Sequence, residues 1–402
     1  MHPVPHMHRR LTARFIHHQL EHVRGRGGLL STTIKQRLTV SPCCIIITAS
    51  CFSILSPSAS QSLSASSRNM PPKPKKPPAD PRPSSSVVLI SPKNEILLLH
   101  RVKTSTSFAS AHVFPGGNLS LQDGRCPPPG DVKRHEDASW YRNAAIRELF
   151  EESGILLAKD QGSGKMLAVR EEEREKGRRE IHQKQTTFSE WLQKQNFAAV
   201  PDIDNLIPFT RWITPTNVPK RYTTQMYLYF LPLSLGSDKS LLDEIPAEGE
   251  REEIQIPTSD GGVEIAEAQF LPASEWLRRA AQGEIILFPP QFILLHLVAQ
   301  FLDTEPRTTS PDELQRRRAQ LIDLAHSGSP PWTDKCISPK VGKLAEDGRA
   351  VLKLDHPGPE LQGTDRRGES ERVVLVRFQD GNPRELSLGW KKDLFPGSKS
   401  SL

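Results

Sequence analysis

The chain has 402 residues, a formal net charge of +6, 35 prolines and a hydrophobic share of 36%. The length allows two or three domains, but so diluted an apolar content argues for one packed core accompanied by loop-rich or disordered segments. The basic excess gathers near the start, where Arg9, Arg10, Arg14, Arg24, Arg26 and Lys35 face one acid, Glu21, and the remainder is mixed in sign, so no nucleic-acid partner is expected.

In chain order, residues 1–69 are rich in Arg, His and Ser and almost free of acids, the composition of a mitochondrial presequence. The alternative is an extension from an upstream start, with Met70 opening a solvated Pro- and Lys-rich tail; that reading leaves the protein cytoplasmic. Ser400-Ser401-Leu402 has the outline of a peroxisomal tail without its central basic residue. The apolar run from Cys43 to Leu55 is interrupted by Thr48, Ser50 and Ser53, so no stable membrane span is expected. The cysteines Cys43, Cys44, Cys51, Cys126 and Cys336 form no CxxC pair, which argues against a disulfide framework or a zinc site and fits a reducing, intracellular compartment.

Residues 1–85 are therefore read as a leader and Pro-rich linker, 86–302 as the main domain, and 303–402 as a C-terminal extension with short strands. Val87-Val88-Leu89-Ile90 and Ile96-Leu97-Leu98-Leu99 are strand-length apolar runs joined by the turn Ser91-Pro92-Lys93-Asn94. Residues 138–152 have helical spacing, with Ala145, Ile146, Leu149 and Phe150 as the apolar stripe and Gly154 placed to stop the helix. The run 170–180 is charged with both signs and reads as a solvated helix or surface insertion. Strands are expected at 223–233 and 264–271, and helices at 273–282 and 291–302. A polar stretch then precedes short strands at 350–354, 372–378 and 384–388. Strands followed by helices, with a helix between strands, predict an α/β sandwich.

The chemistry concentrates in Arg147-Glu148-Leu149-Phe150-Glu151-Glu152-Ser153-Gly154-Ile155. On a helix, Glu148, Glu151 and Glu152 share one face over roughly 100° of arc. Carboxylates so crowded repel unless a cation lies among them, and hard divalent ions take oxygen ligands of this kind. Arg147 stands one turn before Glu151 and can brace it. A charged, solvated helix face is the plainer reading of such a cluster taken alone. Upstream, Val113-Phe114-Pro115-Gly116-Gly117-Asn118 offers two glycines that permit close backbone approach.

Taken together, loop and helix resemble the Nudix box: Gly, five residues, Glu, seven residues, then Arg-Glu-aliphatic-x-Glu-Glu-x-Gly-aliphatic. Every position of the second half matches, from Arg147 to Ile155. The first half departs, because Gly117 and Arg147 are thirty positions apart (147 − 117) where the box has fourteen. Asp123 stands where the first box Glu belongs, so an insertion from Gly124 to about Ala138 follows it, long enough to lie over a substrate. This substitution puts Asp123's role in doubt. The resemblance covers about residues 86–302, with Trp212-Ile213-Thr214-Pro215 and Phe288-Pro289-Pro290-Gln291 as further shared features.

Within the family the chain resembles the peroxisomal acyl-CoA diphosphatases. Arg101 and Phe114 have the spacing of a coenzyme A motif, although that motif's second arginine falls at Thr106 and its glycine at Ser110. The resemblance implies a Nudix-type α/β/α sandwich with a mixed sheet, long insertions and a small C-terminal β appendage. It implies Mg²⁺- or Mn²⁺-dependent hydrolysis of a diphosphate in a small nucleoside diphosphate derivative such as CoA. Glu148, Glu151, Glu152 and Arg147 would be catalytic, and Glu148, Glu151 and Glu152, with Glu264 or Glu267 from a later strand, would be metal ligands. Arg101, Phe114, Gly116 and Gly117 would meet the substrate. ADP-ribose or NADH hydrolysis, and nucleotide binding without cleavage, are the alternatives. The oligomeric state is left open.

Overall fold

The computed structural model describes residues 77–105, 108–233, 257–258, 264–303 and 310–395. The leader with Cys43, Cys44 and Cys51, the tail from Met70 to Lys76, Thr106 and Ser400–Leu402 lie outside them.

The chain enters through β1 (Arg82–Ile90) and β2 (Ile96–Arg101), followed by the short β3 (His112–Val113) and β4 (Gly116–Asn118). Helix α1 (Ser139–Ser153) comes next and stops at Gly154, whose φ of 74° is the left-handed conformation that glycine adopts without a Cβ penalty. An insertion holds β5 (Ala158–Asp160), α2 (Glu171–His182), α3 (Phe188–Gln195) and β6 (Ala199–Pro201). The sheet resumes with β7 (Ile207–Ile213), β8 (Tyr222–Phe230) and β9 (Ile265–Leu271), and then come α4 (Ala273–Ala281), α5 (Pro289–Leu302) and α6 (Pro311–Ala325). Last are β10 (Cys336–Ile337), β11 (Lys340–Leu344), β12 (Ala350–Leu354), β13 (Glu369–Gln379), β14 (Asn382–Trp390) and the short α7 (Lys391–Leu394).

The main sheet runs β10-β7-β8-β1-β2-β3, with β4 on β1 and β9 on β2. It is mixed: β1 runs parallel to β8, from Arg82 opposite Tyr222 to Ile90 opposite Phe230, and β10 runs parallel to β7, while β7–β8 and β2–β9 are antiparallel. The two-residue period of a strand sends alternate side chains to opposite faces. Val87, Leu89, Leu97, Leu99, Tyr227 and Tyr229 join Ile146, Leu149 and Phe150 of α1 in one core. Val88, Ile90, Ile96, Leu98, Met226 and Leu228 join Trp276 of α4 and Leu294, Leu295 and Val298 of α5 in the other. The sheet thus lies between helices on both faces, the α/β sandwich expected from the pattern of elements. Trp276 Nε1 donates to the Ile96 carbonyl at 2.9 Å, fixing α4 on β2.

Two stretches differ from their sequence reading. The charged run 170–180 does form a helix, but Arg174 and Arg178 are buried on it, and a Cβ at Gly177 would fall 2.9 Å from Trp191 Cδ1. Glycine is what lets α2 press on α3. The polar stretch after residue 304 contains α6, whose buried Arg318 donates at 2.7 Å to Asn94 Oδ1 and to the Leu231 and Ser91 carbonyls, tying α6 to the β1–β2 turn. Beyond it, β10 extends the main sheet, and Leu352, Leu354, Val374 and Val376 of the four-stranded β11-β12-β13-β14 sheet enter the same core as α4 and α5.

The insertion between β4 and α1 is anchored at the N-terminal end of α1, away from its glutamates. His135 Nδ1 lies 3.0 Å from Thr223 Oγ1 on β8, and the Tyr141 hydroxyl donates to the Arg134 carbonyl. His135 is 4% exposed. Burial, then Arg211, Arg134 and Arg221, with Glu360 opposing, hold its pKa down to about 4. The folded state therefore resists a proton that the unfolded chain accepts near pH 6.5, and stability is lost as pH falls through that interval.

Two outcomes follow for equilibrium urea unfolding. Ile146→Ala costs about 2–5 kcal/mol, because a fully buried side chain leaves a cavity between α1 and the sheet, whereas Leu121→Ala, at a position 99% exposed, changes stability by less than about 0.5 kcal/mol. His135→Asn gains roughly 2–3 kcal/mol relative to wild type between pH 7 and pH 4, since the variant has no ring to protonate. A difference independent of pH contradicts the burial of His135.

Candidate functional site

The site is built around one guanidinium. Arg147 is 4% exposed, and its Nε and Nη2 donate to the two carboxylate oxygens of Asp123, each at 2.8 Å. Nη2 also donates to the Asn118 carbonyl at 3.0 Å, and Nη1 donates to Glu148 Oε1 at 2.8 Å and to Glu151 Oε1 at 2.9 Å. Burial works against its charge, yet Asp123, Glu148 and Glu151 together raise the Arg147 pKa and keep it cationic. Asp123, left uncertain by the sequence, is thus the bidentate partner of Arg147, itself held by the Ser120 backbone N–H at 2.7 Å. Its shorter side chain suffices because a 3-10 turn over Leu121–Asp123 carries it under the helix.

Glu152 is held by the sheet and not by Arg147. Its Oε2 accepts from the Gly116 N–H at 2.8 Å, and its Oε1 lies 3.3 Å from Arg101 Nη1. Arg101 extends from the end of β2 and joins Glu152 to Glu264, whose Oε2 is 2.7 Å from Nη2. Gly116 and Gly117 are required sterically. A Cβ at Gly117 would fall 2.5 Å from Glu148 Cδ, and one at Gly116 2.6 Å from Ser86 Cα. The Gly-Gly strand therefore lets the carboxylate of Glu148 lie directly against backbone.

The carboxylates are strained electrostatically. Burial raises the pKa of Glu148 to about 7, with Glu151 and Asp123 adding repulsion against Arg147. Burial likewise raises that of Glu152 to about 8, with Glu148 and Glu264 adding to it against Gly116 and Arg101. Negative charge gathers here beyond what the two arginines offset, the condition under which a divalent cation is favoured. Among the described residues no three acidic, His or Cys side chains converge as a ready-made cage. The donor set nevertheless fits a hard cation, because Mg²⁺ commonly takes one or two carboxylates and completes its shell with water and phosphate oxygens.

Of the remaining predicted residues, Glu264 is brought to this group through Arg101. Glu267 pairs with His100 on β2, on the α4 side of the sheet, and is exposed there. Phe114 is buried in the α4–α5 core and does not line the carboxylate group. One contributor had been read as surface: Arg178 of α2 donates through Nε and Nη2 to the Glu151 carbonyl at 3.1 and 3.0 Å, closing the C-terminal end of α1. The sequence signal was the spacing of Arg174, Gly177, Arg178 and Ile181, which share one helical face.

Asp123→Ala leaves a buried guanidinium without its bidentate partner and costs about 3–5 kcal/mol in urea unfolding. A loss under about 1 kcal/mol contradicts the role assigned to Asp123.

Residues 131–245 match a family model described as the NUDT19 Nudix domain. The chain is 29% identical over 255 residues to the acyl-coenzyme A diphosphatase NUDT19 of Gallus gallus, covering 52% of this chain and 61% of that protein. It is 24% identical over 249 residues to the Xenopus laevis protein of the same name, covering 52% and 60%. It thus spans about three fifths of the length of the curated relatives it matches. A Nudix hydrolase structure from Alicyclobacillus acidocaldarius aligns with 57% of this chain and 98% of its own, at 21% identity and a TM-score of 0.43. The matched domain runs through the helix that carries Arg147, Glu148, Glu151 and Glu152, so the chain is similar to Nudix hydrolases over the residues that build this site.

Proposed function

We propose that the protein is a divalent-metal-dependent diphosphatase that hydrolyses CoA or an acyl-CoA to 3′,5′-ADP and (acyl-)4′-phosphopantetheine. The observation that carries the reaction class is the glutamate group of α1, set by Arg147 against the Gly116-Gly117 backbone. Glu148, Glu151 and Glu152 would hold Mg²⁺ or Mn²⁺, with Glu264 beside them through Arg101. When bound, the cation neutralises the diphosphate and favours attack by water at phosphorus.

The side chains supply the rest. Arg147 holds one oxygen each of Glu148 and Glu151, so the two carboxylates lose less side-chain freedom on binding. A carboxylate of this group accepts the proton of the attacking water. Arg101, whose Nη1 and Nη2 meet Glu152 and Glu264, would turn its remaining N–H groups to a phosphate oxygen.

Two observations support a CoA-type substrate. The similar chicken and frog proteins are named acyl-coenzyme A diphosphatases. Ser110, where the coenzyme A motif has glycine, takes a φ of 59°, the left-handed conformation that glycine adopts readily.

Incubation of the full chain with Mn²⁺ or Mg²⁺ and CoA, acyl-CoA, ADP-ribose or NADH tests the reading. Release of 3′,5′-ADP from CoA or acyl-CoA, abolished by chelation, is expected. Glu151→Gln keeps the circular-dichroism spectrum and loses roughly 100-fold or more in turnover. Cleavage of ADP-ribose or NADH alone overturns the substrate, and full turnover by Glu151→Gln overturns the site.

A further inference from the structure

We infer that a cleft at the N-terminal end of α1, organised by Arg211, is a binding site for a phosphate-type oxyanion, separate from the glutamate group. The cleft has a volume of about 280 Å³ and is bordered by His135, Arg211, Gln225, Lys335, Cys336 and Arg366. Arg211 of β7 pairs across the sheet with Gln225 of β8 and with Cys336 of β10, so these side chains share one face.

Arg211 is 2% exposed. Its guanidinium lies over the Tyr141 ring, 4.4 Å from the centroid, and Nη1 donates to Thr223 Oγ1 at 3.1 Å. Nη2 is buried without a hydrogen-bond partner, and among the described residues no carboxylate forms an ion pair with Arg211. A guanidinium cannot relieve burial by giving up its proton, so a buried, unmatched one is costly unless an anion reaches it.

The surroundings add positive charge. Arg366, on the lining of the cleft, makes no ion pair among the described residues. Three acids, Glu136, Asp137 and Asp334, also line the cleft. Asp137 is held by Arg142 at 2.6 Å and by the Tyr227 hydroxyl, Glu369 is held by Lys335 at 2.8 Å, and Glu136 and Asp334 face solvent. Planar guanidinium donors beside an ammonium suit an oxyanion with several acceptor oxygens. The volume admits a phosphate carried on a small organic group as well as the free ion. Tyr141, which supports Arg211, and Glu148 are seven residues apart on α1, about 10 Å along its axis, so the two sites occupy opposite ends of the helix.

Calorimetric titration of the full chain with inorganic phosphate, and separately with AMP, at constant ionic strength tests the site. Saturable binding is expected, at least about tenfold weaker in Arg211→Met, weaker also in Arg366→Gln, and unchanged in Glu148→Gln. Phosphate should raise the melting temperature of wild type and leave that of Arg211→Met in place. Tighter binding of AMP assigns an organic phosphate, and tighter binding of phosphate assigns the free ion. Absence of saturable binding by either probe overturns the site, as does equal affinity in wild type and both arginine variants. Should Arg211→Met fail to fold, Arg366→Gln decides alone.

Discussion

The fivefold use of the Arg147 guanidinium is the constraint on which the rest of the site depends. One buried cation takes both oxygens of Asp123, the Asn118 carbonyl, and one oxygen each from Glu148 and Glu151. A lysine ammonium cannot make that set, because its three donors lack the planar fork. The arrangement fixes the Gly-Gly strand, the turn that carries Asp123 and the start of the last helical turn relative to one another. It also leaves Glu152 to the Gly116 N–H and to Arg101. The carboxylates are thereby crowded in a buried place where burial and mutual repulsion favour protons or a cation over bare charge.

Much of this is legible in the sequence. The apolar stripe of Ala145, Ile146, Leu149 and Phe150 marks α1, and the strand-length apolar runs Val87–Ile90 and Ile96–Leu99 mark two strands, whose alternate side chains enter both cores. The Arg147–Ile155 pattern singled out the glutamates. What stayed hidden depends on contacts between residues distant in the chain. Asp123 could not be paired with Arg147 across an insertion of unknown path, and α6 could not be seen to clamp the β1–β2 turn, because Arg318 reads as a surface arginine until Asn94 and Ser91 are placed beside it. The charged α2 concealed a buried face for the same reason: its arginines lie against backbone carbonyls, which leave no mark in composition.

Helix α1 also links two regions of opposite electrostatic character. Its C-terminal half carries excess negative charge, and its N-terminal end faces a group of buried cations around Arg211. The insertion after Asp123 belongs to the second region, since His135 anchors on β8 and Arg134 lies near Cys126. It is therefore a wall of the cationic cleft and not a cover over the glutamates.

The proposed diphosphate cleavage depends on Arg147 as the organiser of the carboxylate group. Its most direct test is the Mn²⁺-dependent rate of 3′,5′-ADP release from CoA by Arg147→Lys beside wild type, with matching circular dichroism. The account predicts that wild type releases 3′,5′-ADP and that the lysine variant, still charged but unable to hold Asp123, Glu148 and Glu151 together, loses most of that rate. Equal rates in the two proteins, or no release by wild type, contradict it.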